Sequence, residues 1–154
     1  MKKHRYEVAV KWTGNLGAGT DHYRSYSRNH EILAREKISI PCSSDPSFRG
    51  DPARYNPEEL LVSAISSCHM LWFLHLCSVR EISVIEYEDD AEGLMVEQVE
   101  GYGKFVEVKL RPRIRLSKEY DQEILRTIHD EANSKCYIAK SCNFPVTHHP
   151  SYLE

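Results

Sequence analysis

Neither sign of charge dominates this sequence. Its 20 Lys and Arg stand against 23 Asp and Glu, giving a net charge of −3 with both signs mixed along the chain. A nucleic-acid binder is expected to carry a basic stripe, so nucleic acid is not an expected partner. A long apolar opening is also missing: MKKHRYEVAV lacks the core of a signal peptide. Short cysteine pairs are absent too. Cys42, Cys68, Cys77, Cys136 and Cys142 are odd in number, and without a secretory signal they do not make a disulfide framework. The spacings Cys68–Cys77 and Cys136–Cys142 do not match structural zinc, and no pattern ties them to His69, His75, His148 or His149. Ser66 and Ser67 lack the flanking glycines of a nucleophile elbow. The run GNLGAG (Gly14–Gly19) lacks the lysine and following helix of a phosphate loop. Neither an internal repeat nor a low-complexity segment occurs. These absences lead to an expectation of a cytoplasmic protein with no metal, no cofactor and no membrane partner.

What remains is a globular composition, 41% hydrophobic and 28% charged, with a length that fits one domain over 1–154. Tyr6, Val8, Val10 and Trp12 alternate with polar neighbours as in a half-buried strand. His22–Arg28 and Glu31–Ile40 read as two more strands of an antiparallel meander. Pro41–Pro57 holds four prolines and one glycine and reads as a long functional loop. Ile82–Glu88 predicts a strand. Val106, Val108, Leu110, Ile114 and Leu116 predict another, with an edge or bulge at Pro112. A second helix is expected from about Lys118 to Asn133, burying Ile124, Leu125, Ile128 and Ala132, and the tail NFPVTHHPSYLE adds a short last strand. The order βββ-α-ββ-α is an α+β fold.

The most apolar stretch is NPEELLVSAISSCHMLWFLHLC, Asn56 to Cys77. Asn56 as cap, Pro57 in the first turn and Glu59 three residues on from the cap form a capping box. Glu58 and Glu59 suit the positive end of the helix dipole. The 18 residues Leu60–Cys77 approach the lower limit for a membrane span, but Ser63, Ser66, Ser67, His69 and His75 are costly in lipid, so the helix is read as buried in protein. Leu61, Ile65, Cys68, Trp72 and Leu76 form an apolar stripe. Leu60, Ala64, Leu71 and Leu74 extend it around the helix, so cover is needed on more than one side. Free cysteine is commonly a buried hydrophobe, and Cys42 and Cys77 are read that way. Cys68 at a helix centre and Cys136 at the end of another helix are the pair whose meeting would imply redox chemistry.

NPEELLVSAISSCHM (Asn56–Met70) together with CYIAKS (Cys136–Ser141) resembles the OsmC/Ohr family, the osmotically inducible protein C and organic hydroperoxide resistance proteins. The segment Ser43–Leu61 resembles the OsmC-like branch. The resemblance implies an intertwined α+β homodimer with two central helices packed together, and thiol-dependent reduction of organic hydroperoxides. Carried over by position, Cys68 is the peroxidatic cysteine, Cys136 the resolving cysteine and Glu58 the active-site carboxylate. An external dithiol resets the pair, and in the family that dithiol can be lipoyl. A thiol in apolar surroundings has a raised pKa while its thiolate is the reactive form, so a cation is required. The family supplies an arginine from the turn between its first two strands. Here that turn is GNLGAGT, with no arginine. Arg49 and Arg54, in the loop before Glu58, are the first substitutes, followed by Arg24 and Arg28. Glu58 and Cys68 lie ten residues apart on one helix, about 15 Å. The expectation is therefore a site shared between subunits, each Cys68 served by the other chain's Glu58.

Two other readings compete. The first is a dimeric, non-catalytic protein that binds a lipid or other small ligand in the same apolar pocket, which the missing turn arginine favours. The second is a redox sensor built on the same disulfide, for which the sequence offers no output domain. Whether Cys142 competes with Cys136 as resolver stays open.

Overall fold

The computed structural model describes residues 1–99 and 101–153. The chain divides into two compact units, Met1–Leu60 and Leu61–Glu154.

The first unit is built on three antiparallel strands in the order β1-β2-β3: Ala9–Trp12 (β1), His30–Leu33 (β2) and Ile40–Cys42 (β3). The predicted three-stranded meander is present, but one of its strands is placed differently. His22–Arg28 is not a strand. Ser25 turns back on His22 through its backbone N–H (3.1 Å) and its hydroxyl (2.8 Å). Arg28 folds over the rings of Tyr23 and Tyr26, at 4.4 and 4.1 Å, and donates to both of their carbonyls. These local bonds outcompete extended pairing. The connection is closed at its neck by Ser27 N–H donating to the Gly14 carbonyl at 2.9 Å. Gly14 is required there, because a Cβ would lie 1.9 Å from the Ser27 oxygen. The predicted strand Glu31–Ile40 is instead β2, a turn at Arg35–Lys37 and the start of β3.

Pro41–Pro57 is more ordered than its prolines suggest. Pro41 and Cys42 belong to β3, and Pro46–Phe48 form one 3-10 turn capped by Asp45. Ser43 N–H donates to the Tyr55 carbonyl at 2.9 Å, closing the segment on itself. The capping box at Asn56 forms as expected. Glu59 N–H donates to Asn56 Oδ1 at 2.8 Å, and Asn56 N–H donates to Glu59 Oε2 at 3.1 Å. From this cap the long helix Pro57–Val79 (α1) runs for 23 residues.

The second unit contains most of α1, strands Val84–Asp89 (β4), Glu92–Glu97 (β5), Gly103–Leu110 (β6) and Pro112–Leu116 (β7), helices Gln122–Lys135 (α2) and Tyr137–Lys140 (α3), and strands Val146–His148 (β8) and Ser151–Leu153 (β9). These strands form two sheets, β4-β7-β9 and β5-β6-β8. The predicted strand from Val106 to Leu116 is therefore two strands in two sheets. Its corner is Arg111-Pro112, where Arg111 N–H leaves the ladder and donates to Asp89 Oδ1 at 2.6 Å. β8 and β9, which pair in parallel with β6 and β7, meet at His149-Pro150, where the His149 N–H donates to the Leu110 carbonyl at 2.9 Å. The tail thus supplies two short strands instead of one, and its last residue, Glu154, lies outside the described residues. β5 and α3 have no counterpart in the predicted order. α2 starts at Gln122 because the Asp121 carboxylate accepts from the N–H groups of Glu123 and Ile124, four residues later than expected.

Two cores flank α1. The first half of the helix buries Ile65 with Val108 and Leu110 of β6. The second half buries Phe73, Leu76 and Cys77 with Ile114 of β7 and with Leu125, Ile128 and Ala132 of α2. Ile124, expected in the core, is exposed. The buried stripe of α1 is Ile65, His69, Phe73, Leu76 and Cys77, so the predicted stripe is rotated, and Cys68 and Trp72 sit on its half-buried shoulder. By length and composition α1 could cross a bilayer, yet its buried residues are spent on the two protein cores.

Candidate active site

All five cysteines are free thiols. Cys68 is half-buried in the middle of α1, and Cys136 is fully buried. The structure brings these two together: Cys68 lies near enough to Cys136 to raise its thiol pKa. Cys136 occupies a junction, as the C-cap of α2 and the N-cap of α3 at once. Its backbone leaves helical geometry there, at φ −64° and ψ 109°, and its Sγ accepts from the Ala139 N–H at 3.3 Å. Burial pushes the Cys136 thiol up to about 11, the neighbouring Cys68 adds to this, and the Ala139 and Ile138 N–H groups oppose it. This thiol is therefore protonated at neutral pH in the reduced protein.

The other thiols are placed elsewhere. Burial likewise raises Cys77 to about 11, in the core beneath α2. Cys42 is buried in the first unit and raised by burial and by the Glu31 carboxylate. Cys142 donates to the Ile138 carbonyl at 3.3 Å and packs with the Ile65–Val108–Leu110 core.

Glu58 and the candidate arginines belong to the first unit. Glu58 is half-buried, and its Oε2 is buried with no hydrogen-bond partner among the described residues. Arg54 is already committed: its Nη1 lies 3.0 Å from Glu31 Oε1 and its Nε 3.7 Å from Asp51 Oδ2. Arg28 is held on Tyr23 and Tyr26. Arg49 is exposed, with a left-handed backbone (φ 66°) that ends the 3-10 turn. Arg24 is exposed.

The sequence did not reveal a second cluster beside the thiols. His69, next to Cys68 in sequence, points into the core. Its Nε2 is hydrogen-bonded to His129 Nδ1 at 3.0 Å, and the two rings stack at 9°. His148 stacks on both, with centroids at 5.4 and 5.5 Å. Burial lowers His69 to about 4 and His129 to about 3, so both are neutral at pH 7. Parallel rings do not converge their lone pairs on one point, and among the described residues no group of three or more His, Cys, Asp or Glu is arranged to hold a metal. The sequence holds a signal for one part of this cluster: Phe73 is four residues from His69 on the same helix face, and it stacks on His129 at 4.1 Å.

Comparison with known proteins bears on the same architecture. An OsmC-like protein of unknown function from Vibrio cholerae is similar over 97% of this chain and 100% of its own, with 29% identity and a TM-score of 0.86. An organic hydroperoxide resistance protein from Legionella pneumophila, covering 99% and 100%, has 18% identity and a TM-score of 0.68. OhrB of Bacillus subtilis, an organic hydroperoxide resistance protein, covers 96% of each chain with 16% identity and a TM-score of 0.63. Among curated proteins none matches the chain in sequence. The family model for OsmC-like proteins matches residues 50–149, from the turn before the capping box through the thiol pair to the end of the histidine cluster, and by that match the chain belongs to the OsmC-like family.

Proposed function

We propose that this protein is a thiol-dependent peroxidase acting on organic hydroperoxides. The observation that supports this most is the pair of neighbouring free thiols, with Cys68 half-buried and Cys136 fully buried. A peroxide reaches the partly accessible sulfur first. The Cys68 thiolate attacks the peroxide oxygen, the O–O bond breaks, and the alcohol leaves with a proton, giving a Cys68 sulfenic acid. Cys136 then displaces water from that sulfur and a disulfide forms. An external dithiol, lipoyl being one candidate, reduces the disulfide and restores both thiols. The burial of Cys136 suits this order, because its neutral thiol stays unreactive toward peroxide until a sulfenate forms beside it.

The active form is a homodimer with a shared site. In the first unit Val10 of β1, with Tyr6 and Val8 in the segment before it, is exposed (66%, 87% and 69%), an apolar surface that supports cover by a second chain. On α1 Leu71 is 62% exposed. Glu58 and Cys68 are about 15 Å apart along α1, so the carboxylate serving each thiol comes from the partner helix. The buried Glu58 Oε2, unpartnered among the described residues, supports a role in holding a cation there, with Arg49 and Arg24 the two of the candidate arginines not already tied to other groups.

The test compares consumption of an alkyl hydroperoxide and of hydrogen peroxide by the wild type, Cys68→Ser and Cys136→Ser. The expected result is preference for the alkyl hydroperoxide, no turnover in Cys68→Ser, and stoichiometric consumption that stops once Cys68 is oxidised in Cys136→Ser. Peroxide consumption unaffected by Cys68→Ser would remove the proposal.

A further inference from the structure

Cys136 sits between two residues that touch one indole. Trp72 lies four residues after Cys68, on the same face of α1. Tyr137 meets its ring edge-on, centroids 5.8 Å apart at 90°. Lys135 places its Nζ 5.6 Å above the same ring, while its other attachment is a 2.7 Å ion pair to Glu131 of α2. The residue before Cys136 and the residue after it are thus both seated on Trp72. The indole is itself fixed from behind, packed against the core of Phe73, Leu76, Leu125 and Ile128.

We infer that Trp72 is the positioning residue for the thiol pair, a clamp that holds the Cys136 segment in register with Cys68 so that the two sulfurs can bond. The inference rests on Cys68–Cys136 being the redox pair. Forming the bond brings the sulfurs to about 2.05 Å. It also takes Cys136 Sγ away from the Ala139 N–H that caps α3. The four residues of α3 hold no buried side chain of their own, so the cap's loss frees this segment to drift. Contacts to Trp72 from both sides of Cys136 oppose that drift, because the chain cannot slide along α1 without giving up both. Trp72 touches no substrate in this account. It raises the effective concentration of one thiol at the other.

The test needs no peroxide. The reduced protein is equilibrated with mixtures of dithiothreitol and its cyclic disulfide. Two protein thiols become one protein disulfide as the cyclic disulfide opens to the dithiol, with both protons and both electrons transferred between the two couples. Trp72→Ala is expected to lower the equilibrium constant for the Cys68–Cys136 disulfide at least tenfold, about 30 mV. Trp72→Phe, which keeps a ring for Tyr137 and Lys135, restores most of it. A folded Trp72→Ala with the wild-type constant overturns the inference. Should Trp72→Ala fail to fold, the double variant Lys135→Ala/Tyr137→Ala replaces it, since both side chains lie on the exposed side of the clamp. A fall in its constant supports the clamp, and an unchanged constant overturns it. Because the equilibrium is read without peroxide, a protein that consumes no peroxide yet loses its disulfide in Trp72→Ala keeps the clamp while losing the proposed peroxidase function.

Discussion

His69 and His129 meet in the core through one hydrogen bond, 3.0 Å from Nε2 to Nδ1, and each keeps its remaining ring nitrogen buried without a partner among the described residues. The pair holds one proton between its two bonded nitrogens, and adding another would put a cation on two buried rings. His148, stacked on both, is the member tied to a carboxylate, Asp130 at 3.2 Å.

The consequence is a steep acid limb in stability. In the folded protein burial holds His69 near 4 and His129 near 3, whereas in the unfolded chain both return to about 6.5. The unfolded state therefore binds more protons below pH 6.5. Stability is full above that pH and falls as pH drops toward 4, at about 1.4 kcal/mol per pH unit for each histidine. Thermal melts between pH 8 and pH 4 should show a plateau and then a decline, and His129→Phe should flatten the decline. Equal melting temperatures at pH 7.5 and pH 5 would rule this out.

The cap of α1 makes a separate prediction. Asn56→Ala removes the acceptor for the Glu59 N–H and should cost about 1 kcal/mol in chemical denaturation, while Asn56→Gly should cost only a few tenths. An alanine variant as stable as wild type would mean that the reciprocal bonds at this cap contribute nothing net.

Subunit sharing is testable by complementation. Glu58→Gln and Cys68→Ser should each be poorly active or inactive alone. Mixed after unfolding and refolding together, they form heterodimers in which the intact Cys68 of one chain faces the intact Glu58 of the other, and activity should return. No recovery from a mixture shown to contain heterodimers contradicts the shared site.

Cys136→Ser keeps a side-chain oxygen able to cap α3, so it should fold like wild type. Treated with excess alkyl hydroperoxide, it should carry its Cys68 on to sulfinic acid, visible by mass spectrometry as two added oxygens. Cys142→Ser, whose thiol is engaged with the Ile138 carbonyl, should still form the disulfide. Loss of the disulfide in Cys142→Ser would make Cys142 the resolving thiol.

These predictions draw on features of unequal legibility. The capping box could be read directly, because its bonds join residues three apart and depend on nothing distant. The thiol pair could be read as a resemblance, but its geometry could not, since it depends on α2 ending at Cys136. The histidine cluster was hidden because its members come from α1, α2 and β8, and no local spacing records a stack of three rings. The buried stripe of α1 was misread for the same reason: His69 counts as polar by composition, yet it is buried by its partner. Pro112 was recognised as an interruption, but the sequence does not say that the strand continues in another sheet. That depends on Asp89, 22 residues earlier, taking the Arg111 N–H and on β8 and β9 each pairing with one of the two strands.

The most direct test of the account is a titration of fully reduced protein with an alkyl hydroperoxide in the absence of reductant, counting free thiols and consumed peroxide and mapping the product by peptide mass. The account predicts that two thiols disappear for each peroxide consumed, with Cys68 and Cys136 recovered in one disulfide-linked peptide pair. Wild-type protein that keeps all five thiols free and leaves the peroxide untouched would contradict it.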